Sequence, residues 1–241
     1  MTDENSRTIV LAIDSAGLAC SAVVAIGDTV LSVEHVKSRH GQAEALLPIV
    51  DAVMRKARVA PAALDVVAVS VGPGSFTGIR IGLAAARGIA LATSARMVGV
   101  SSFMAVAAGV AHPSEDDCPH VLIALESRRE DIYVQFFNRL RDPVGQPVAV
   151  MPAALQEVVN EAVGAAPLLI AGDAAQRAAP LLVDRGDIFV LEDSAPDAVG
   201  VLRAVLRRWY TGEIDAPRPL YLRPPSITRA RPRQTGPLGR A

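Results

Sequence analysis

The chain has 241 residues, of which 51% are hydrophobic and 20% are charged, and its formal net charge is −1. This composition is typical of a soluble globular protein, and no apolar run reaches the roughly 18 residues that a membrane-spanning helix needs. Cys20 and Cys118 are too few and too far apart for a disulfide framework, so we expect buried thiols in the reducing cytoplasm.

The spacing of apolar residues predicts strands and helices in the first half of the chain. Three strand-like runs, separated by short turns of small residues, predict an antiparallel meander. The later strands alternate with helices, which predicts an α/β fold of order βββαβαβα. The predicted strands are 8–14, 19–26, 29–36, 66–71 and 97–100, and the predicted helices are 41–58, 77–92 and one that begins at Ser101.

The second half of the chain repeats a shorter version of this pattern. Its predicted strands are 120–125, 131–137, 167–171 and 188–191, and its predicted helices are 152–163, 175–183 and 196–210. A polar stretch at residues 112–117 separates two apolar regions. We therefore predict a first lobe at residues 1–111 and a second lobe at residues 112–217.

The end of the sequence, residues 218–241, contains six arginines and no aspartate or glutamate. A basic, proline-rich segment lacks the apolar surface that it needs to fold alone, so this composition predicts a disordered tail. Two interpretations stay open, an inert solvated tail and a weak contact with an anion or RNA.

A glycine-rich loop runs from Gly72 to Gly78, between a predicted buried strand and a predicted helix. The free amides of a helix N-terminus attract anions, so the loop could cradle a phosphate; it could equally be a tight turn capped by Ser75 or Thr77. It is not a Walker A loop, because no lysine followed by serine or threonine comes after Gly78.

Asp14 ends the first predicted strand and precedes the small-residue turn Ser15-Ala16-Gly17. In actin-like ATPases this arrangement places a carboxylate near phosphate and magnesium, but a lone aspartate at a strand end is also a common turn former. The sequence supports no firm cofactor assignment. The weak candidates for binding one are Asp14, Gly72, Gly74 and Ser75.

Metal and nucleophile motifs are missing from the sequence. None of the four histidines lie three or four residues apart, the spacing that puts two metal ligands on one helix face. The glycines around Ser75 lack the spacing of a nucleophile elbow. We therefore predict no metal site and no catalytic residue.

The two helices of the first lobe are apolar over a wider arc than one sheet face requires. A partner protein would bury the additional apolar surface, and so would a second domain of the same chain. We favour a partner. The predicted interface residues are Ala45, Ile49, Ala52, Val53, Ile79, Gly82, Ala85, Ala86 and Ile89.

Several segments together resemble one family. They are Leu11-Ala12-Ile13-Asp14-Ser15, His40 with Leu46-Leu47-Pro48, Gly72 through Gly88, Val98-Gly99-Val100-Ser101, Arg128 through Tyr133, Gly172-Asp173-Ala174 and Tyr221-Leu222-Arg223. In these segments the sequence resembles the TsaB family, also called YeaZ. The resemblance extends over nearly the whole chain.

The resemblance implies a two-lobed actin-like (ASKHA, ribonuclease-H-like) fold, with a βββαβα first lobe and a smaller, degenerate second lobe. It also implies a cytoplasmic role in forming N6-threonylcarbamoyladenosine beside the anticodon of tRNAs that read codons beginning with A. In that system TsaB is the non-catalytic partner of the catalytic subunit TsaD, with TsaE as an ATPase. We expect self-pairing when the chain is alone, contact with tRNA only through the complex, and no membrane contact.

In two segments this sequence departs from that of TsaD, the catalytic subunit. TsaD binds its metal through His-x-x-x-His, and Ser102 and Val106 stand in those positions here. The second-lobe glycine loop of TsaD is replaced by Leu125-Glu126-Ser127-Arg128, and Glu126 differs from the aspartate of TsaB. The alternative is an ATP-dependent small-molecule kinase or nucleotide hydrolase of the same fold, which should carry a second phosphate loop near residues 125–129.

Overall fold

The computed structural model describes residues 7–17, 19–37, 42–110, 120–209 and 217–223. Within these ranges the chain forms two lobes, each built on a five-stranded sheet. The strands are β1 Ile9–Asp14, β2 Ala19–Ile26, β3 Thr29–Lys37, β4 Val66–Gly72, β5 Arg96–Ser101, β6 His120–Glu126, β7 Ile132–Phe137, β8 Pro143–Val150, β9 Leu168–Ala171 and β10 Ile188–Val190. The helices are α1 Gln42–Ala57, α2 Phe76–Thr93, α3 Ser102–Gly109, α4 Leu155–Val163, α5 Ala175–Ala178 and α6 Ala198–Trp209.

The two sheets have the same topology. In the first sheet the order is β3-β2-β1-β4-β5, with an antiparallel meander from β1 to β3 and parallel pairing of β1, β4 and β5. The second sheet has the order β10-β9-β6-β7-β8, again with one meander and two parallel pairs. This doubled arrangement is the two-lobed actin-like fold, which confirms the fold expected from the resemblance.

Helices cover both faces of the first sheet. The core on one face joins α1 and α2 to the strands, with Leu46, Val53 and Ile79 almost fully buried. On the other face, Val201, Leu202 and Val205 of α6 pack against the strands. The third helix lies between the lobes, because Phe103 and Val106 pack against the second sheet while Ala105 packs with α6.

The helix α6 follows the second sheet in sequence but packs against the first. Its N-terminus is held there by the Ala198 amide, which donates to Ser21 Oγ at 2.9 Å. A Cβ at Gly200 would lie 2.4 Å from the carbonyl oxygen of Ala105, so this glycine lets α6 approach α3 closely. The chain therefore returns to its first lobe after completing its second sheet.

Two second-lobe elements differ from the predictions. The strand β8 was not predicted, because Pro143, Gly145 and Pro147 are unfavourable inside a strand; it forms at the edge of the sheet, where proline is tolerated. The predicted helix 175–183 is shorter. It ends at Ala178 and continues as the 3-10 turn Ala179–Leu181, which contains Pro180.

The predicted lobe boundary at residues 111 and 112 falls outside the described residues, as does Cys118. Cys20 is a buried thiol, as predicted. Of the helices formed by the described residues, none combines the length and apolar character needed to cross a bilayer.

Candidate functional site

The carboxyl ends of the parallel strands in both lobes meet at a cleft. Asp14 and Gly72 end β1 and β4 on one side, and Glu126 ends β6 on the other, with Gly172 following β9. Ligands of open α/β sheets bind at such strand ends. The cleft contains a narrow part of about 150 Å³, lined by residues such as Gly17, Gly74 and Asp173, and a wider part of about 620 Å³ beside the N-terminus of α2.

The glycine loop closes on the turn that follows β1. The Ser75 amide donates to the Ala16 carbonyl at 2.7 Å, and a Cβ at Gly74 would lie only 2.3 Å from that same oxygen. Ser15 Oγ donates to the Gly78 carbonyl at 2.9 Å. Ser75 caps α2, because its Oγ accepts from the Gly78 amide at 3.2 Å. The polar groups of both loops therefore bind each other.

Asp14 lies beneath this closed turn and is 1% exposed. Burial raises the pKa of Asp14 to about 6, although the hydrogen bond from the Ala16 amide, 3.3 Å from Oδ1, favours the charged form. The carboxyl group lies at the predicted strand end but is covered by the chain itself. Its role in binding a cofactor stays a prediction.

Both the backbone conformation and the packing at position 72 require glycine. Its φ of +98° lies in the region that favours glycine, and a Cβ there would lie 2.6 Å from Ile79 Cδ1 and 3.0 Å from the Leu220 carbonyl oxygen. This packing accounts for the glycine without a ligand.

The second-lobe side of the cleft is held by ionic contacts. Arg177 Nη1 lies 3.1 Å from Glu126 Oε2, and the Glu126 amide donates to Asp173 Oδ1 at 2.9 Å. Partial burial raises the pKa of Glu126, and the nearby Arg177 charge opposes that rise. Gly172 has a φ of +110°, and a Cβ there would lie 2.0 Å from the Ala124 carbonyl oxygen. Glu126 therefore belongs to a structural network.

Residues 217–223 cross the cleft and contact both lobes. Leu220 packs against the first-lobe core and donates its amide to the Val71 carbonyl at 2.8 Å, while Leu222 packs against the second-lobe core. Arg223 Nε lies 2.9 Å from Asp131 Oδ2. The sequence predicts disorder for 218–241, yet residues 218–223 are held in place by alternating leucines; residues 224–241 lie outside the described part of the chain.

The predicted partner residues of α1 and α2 lie at different depths. Ile49, Val53, Ile79, Gly82 and Ala86 are buried within their own lobe. Ala45, Ala85 and Ile89 are partly buried against the same core, and Ala52 is half-buried. These five residues contribute almost no surface in this structure, and whether these helices bind a partner stays a prediction.

The exposed face of these helices carries other apolar and small residues. Leu91 is 85% exposed and Leu47 is 55% exposed. Ala84 and Gly88 are also exposed, and a Cβ at Gly88 would meet no atom of the described residues within 4 Å. The apolar pattern of the sequence includes Leu47, and its small residues Ala84 and Gly88 indicate a close approach of another backbone, but none of these positions is among the predicted interface residues.

The two positions that stand where TsaD has its histidines are both in the protein interior, with Ser102 fully buried and Val106 nearly so. In the part of the chain that the structure describes, no group of three or more His, Cys, Asp and Glu residues is placed to hold a metal ion.

Comparisons with known proteins find relatives named for the formation of threonylcarbamoyladenosine in tRNA. A family model described as TsaD: tRNA N6-adenosine threonylcarbamoyltransferase matches residues 34–168. The tRNA threonylcarbamoyladenosine biosynthesis protein TsaB of Escherichia coli is 30% identical over 152 residues, which cover 63% of this chain and 64% of that protein. The chain thus spans slightly less than two thirds of that relative. An uncharacterized protein of Mycobacterium tuberculosis is 32% identical over 222 residues, 90% of this chain and 92% of that protein.

A solved structure of YeaZ from Pseudomonas aeruginosa has the same fold. It is 24% identical, with a TM-score of 0.74, over 89% of this chain and 100% of the other.

Proposed function

This chain belongs to the TsaB (YeaZ) family, and we propose that it is a non-catalytic subunit of the complex that forms N6-threonylcarbamoyladenosine in tRNA. In this role it binds and activates the catalytic subunit TsaD. TsaE is the ATPase of the same machinery, and the chain pairs with itself when TsaD is absent.

The observation that carries the proposal is the exposed face of α2. Ala84, Gly88 and Leu91 follow a spacing of four and three residues, so they lie along one side of the helix, and the exposed Arg87 lies beside them on the same side. Glycine inside a helix costs about 1 kcal/mol relative to alanine, and no contact with the residues that the structure describes requires Gly88. Close approach of a partner backbone at this position accounts for the glycine, and Leu91 supplies apolar surface beside it.

The strand-end loops, which close on each other at the narrow part of the cleft, support the non-catalytic part of the proposal. The Ser75 amide and the Ala16 carbonyl bind each other, Asp14 is covered, and Glu126 is paired with Arg177. An actin-like kinase or nucleotide hydrolase needs these strand-end groups for its nucleotide, so this arrangement favours the subunit role over that alternative.

Co-purification with TsaD from the same organism tests the proposal. Leu91→Glu and Gly88→Arg place a charge on the α2 face and should abolish pairing, because a charge buried without a partner is expensive. Val183→Glu is the matched control, since Val183 is 79% exposed but lies in the second lobe.

The same variants should abolish tRNA modification in a reconstituted reaction that contains TsaD, TsaE and a source of threonylcarbamoyl-adenylate. Circular dichroism should show folded variants whose melting temperatures are no lower than that of the wild type. Folded Leu91→Glu and Gly88→Arg proteins that still bind TsaD as tightly as the control would contradict the proposed interface. A chain that forms the modified nucleoside without TsaD would contradict the non-catalytic role.

A further inference from the structure

The wide part of the cleft is lined by four arginines. They are Arg80 of α2, Arg128 and Arg129 of the turn between β6 and β7, and Arg223 of the crossing segment. The described residues that line this part of the cleft include no aspartate or glutamate. Asp131, which pairs with Arg223, and Asp173, which lies near Arg128, offset part of this charge, but the residues that line the wide part carry only positive charges.

The arginines are presented to solvent from both lobes, and all four residues are exposed. The Arg80 guanidinium lies 3.8 Å from the centre of the Phe76 ring, and its Nε lies 3.4 Å from the Tyr221 hydroxyl. Arg223 pairs with Asp131 through Nε, yet its side chain is still 41% exposed. A ligand that bridges the lobes can therefore reach positive charge on each side.

Aromatic rings lie among these charges. The rings of Phe76 and Tyr221 pack at a centroid distance of 5.2 Å, and Tyr221 is 39% exposed. Tyr133 lines the same part of the cleft. Arginines that contact a phosphate backbone, together with aromatic faces that stack on bases, are the means by which proteins bind single-stranded nucleic acid.

We propose that the wide part of the cleft binds a single-stranded segment of RNA, with phosphates contacted by the arginines and a base stacked on Tyr221. A volume of about 620 Å³ holds only one or two nucleotides, so the rest of the strand lies outside it. The sequence after Arg223 adds four arginines and no carboxylate, which suits a long polyanion better than a mononucleotide. This inference deepens the proposed function by giving the chain its own contact with RNA, but it does not depend on pairing with TsaD.

The test uses the full chain alone and a fluorescently labelled 12-nucleotide oligouridylate, whose anisotropy is measured from 50 to 300 mM KCl. The cleft variant is Arg128→Gln with Arg129→Gln. The control is Arg58→Gln with Arg203→Gln, which removes two exposed arginines outside this cleft and gives the same change in net charge.

The cleft variant should bind at least about tenfold more weakly at low salt. Each lost phosphate contact lowers the slope of log K against log salt by about 0.7, so the slope should fall by about 1.4. The control should stay within about twofold of the wild type. Unlabelled oligouridylate should displace the probe, and uridine monophosphate at the same nucleotide concentration should not.

Equal losses in the two double variants would overturn the inference in favour of general charge attraction. Unchanged binding by the cleft variant would place the RNA contact outside the cleft, and displacement by uridine monophosphate would indicate a mononucleotide site. No binding at 50 mM KCl would also overturn it. Leu91→Glu, on the proposed TsaD face, should keep its affinity for RNA, so failure here is distinguishable from failure of the proposed function.

Discussion

Arg223 and Asp131 join the crossing segment to the second lobe, with Nε and Oδ2 separated by 2.9 Å. Asp131 is 3% exposed and is also bound by the Ser127 hydroxyl, 2.9 Å from Oδ1. Burial alone would raise the pKa of Asp131, but the hydrogen bonds from Ser127 and Arg223 hold it below its usual value. The charged form of Asp131 therefore stabilises the folded chain.

Asp131→Asn should lower the free energy of unfolding by about 1 to 3 kcal/mol at pH 7, because charge-assisted hydrogen bonds in a buried site are lost. A lowered pKa gives stability that is complete above the unfolded value, near pH 4, and is lost as the pH falls below it. The wild type and the variant should thus converge in acid, as urea denaturation from pH 7 to pH 3 would show. Asp51→Asn, which breaks the exposed pair with Arg55, should cost less than about 0.5 kcal/mol.

For Asp14 we expect the opposite dependence of the free energy of unfolding on pH. Its pKa is raised to about 6 by burial, so the stability it gives is complete below about pH 4 and is lost as the pH rises through 6. Asp14→Asn keeps the shape and an oxygen for the Ala16 amide but removes the buried charge. The variant should be more stable than the wild type at pH 8, by up to about 3 kcal/mol, and similar to it at pH 4.

Urea denaturation at both pH values measures this difference, with Asp28→Asn as an exposed control. A less stable Asp14→Asn protein at pH 8 would show that the carboxylate is held by a cation or another favourable partner, and would favour the cofactor interpretation of Asp14.

Much of the fold follows from the sequence, because alternating and continuous apolar runs determine strands such as β1 and β4 before any packing is known. The depth of residues on α1 does not follow. Ile49 lies at the edge of the apolar arc and is nevertheless 6% exposed, since α2 and the sheet fill more of that arc than one sheet face would. A helical wheel cannot distinguish a neighbouring helix of the same lobe from a partner protein.

The cleft residues were missed for a related reason. The basic composition of residues 218–241 predicts disorder, and the alternation of Leu220 and Leu222 is too short a pattern to change that prediction. These two side chains nevertheless pack against the two lobes and bring Tyr221 and Arg223 to the cleft. Arg80, Arg128 and Arg129 are distant in sequence from that segment, and only the tertiary fold brings them together.

Two glycines of α2 provide a matched pair of substitutions. A Cβ at Gly88 meets nothing in the part of the chain that the structure describes, so Gly88→Ala should raise the free energy of unfolding by about 0.5 to 1 kcal/mol. A Cβ at Gly82 would lie 2.5 Å from Ser15 Oγ, which donates to the Gly78 carbonyl, so Gly82→Ala should cost about 1 to 3 kcal/mol. Thermal and urea unfolding of both variants tests this contrast. If Gly88→Ala is destabilising, the outward face of α2 is covered within the chain itself.

Self-association is the last prediction. One patch used twice gives an isologous pair, so the exposed face of α2 should form a homodimer when TsaD is absent. Light scattering at high micromolar concentration should show a dimer for the wild type and for Val183→Glu, and a monomer for Leu91→Glu. Added TsaD should replace the homodimer by a heterodimer, because both pairings bury the same face. A wild-type chain that stays monomeric at these concentrations, or a Leu91→Glu variant that still dimerises, would place self-pairing elsewhere or remove it.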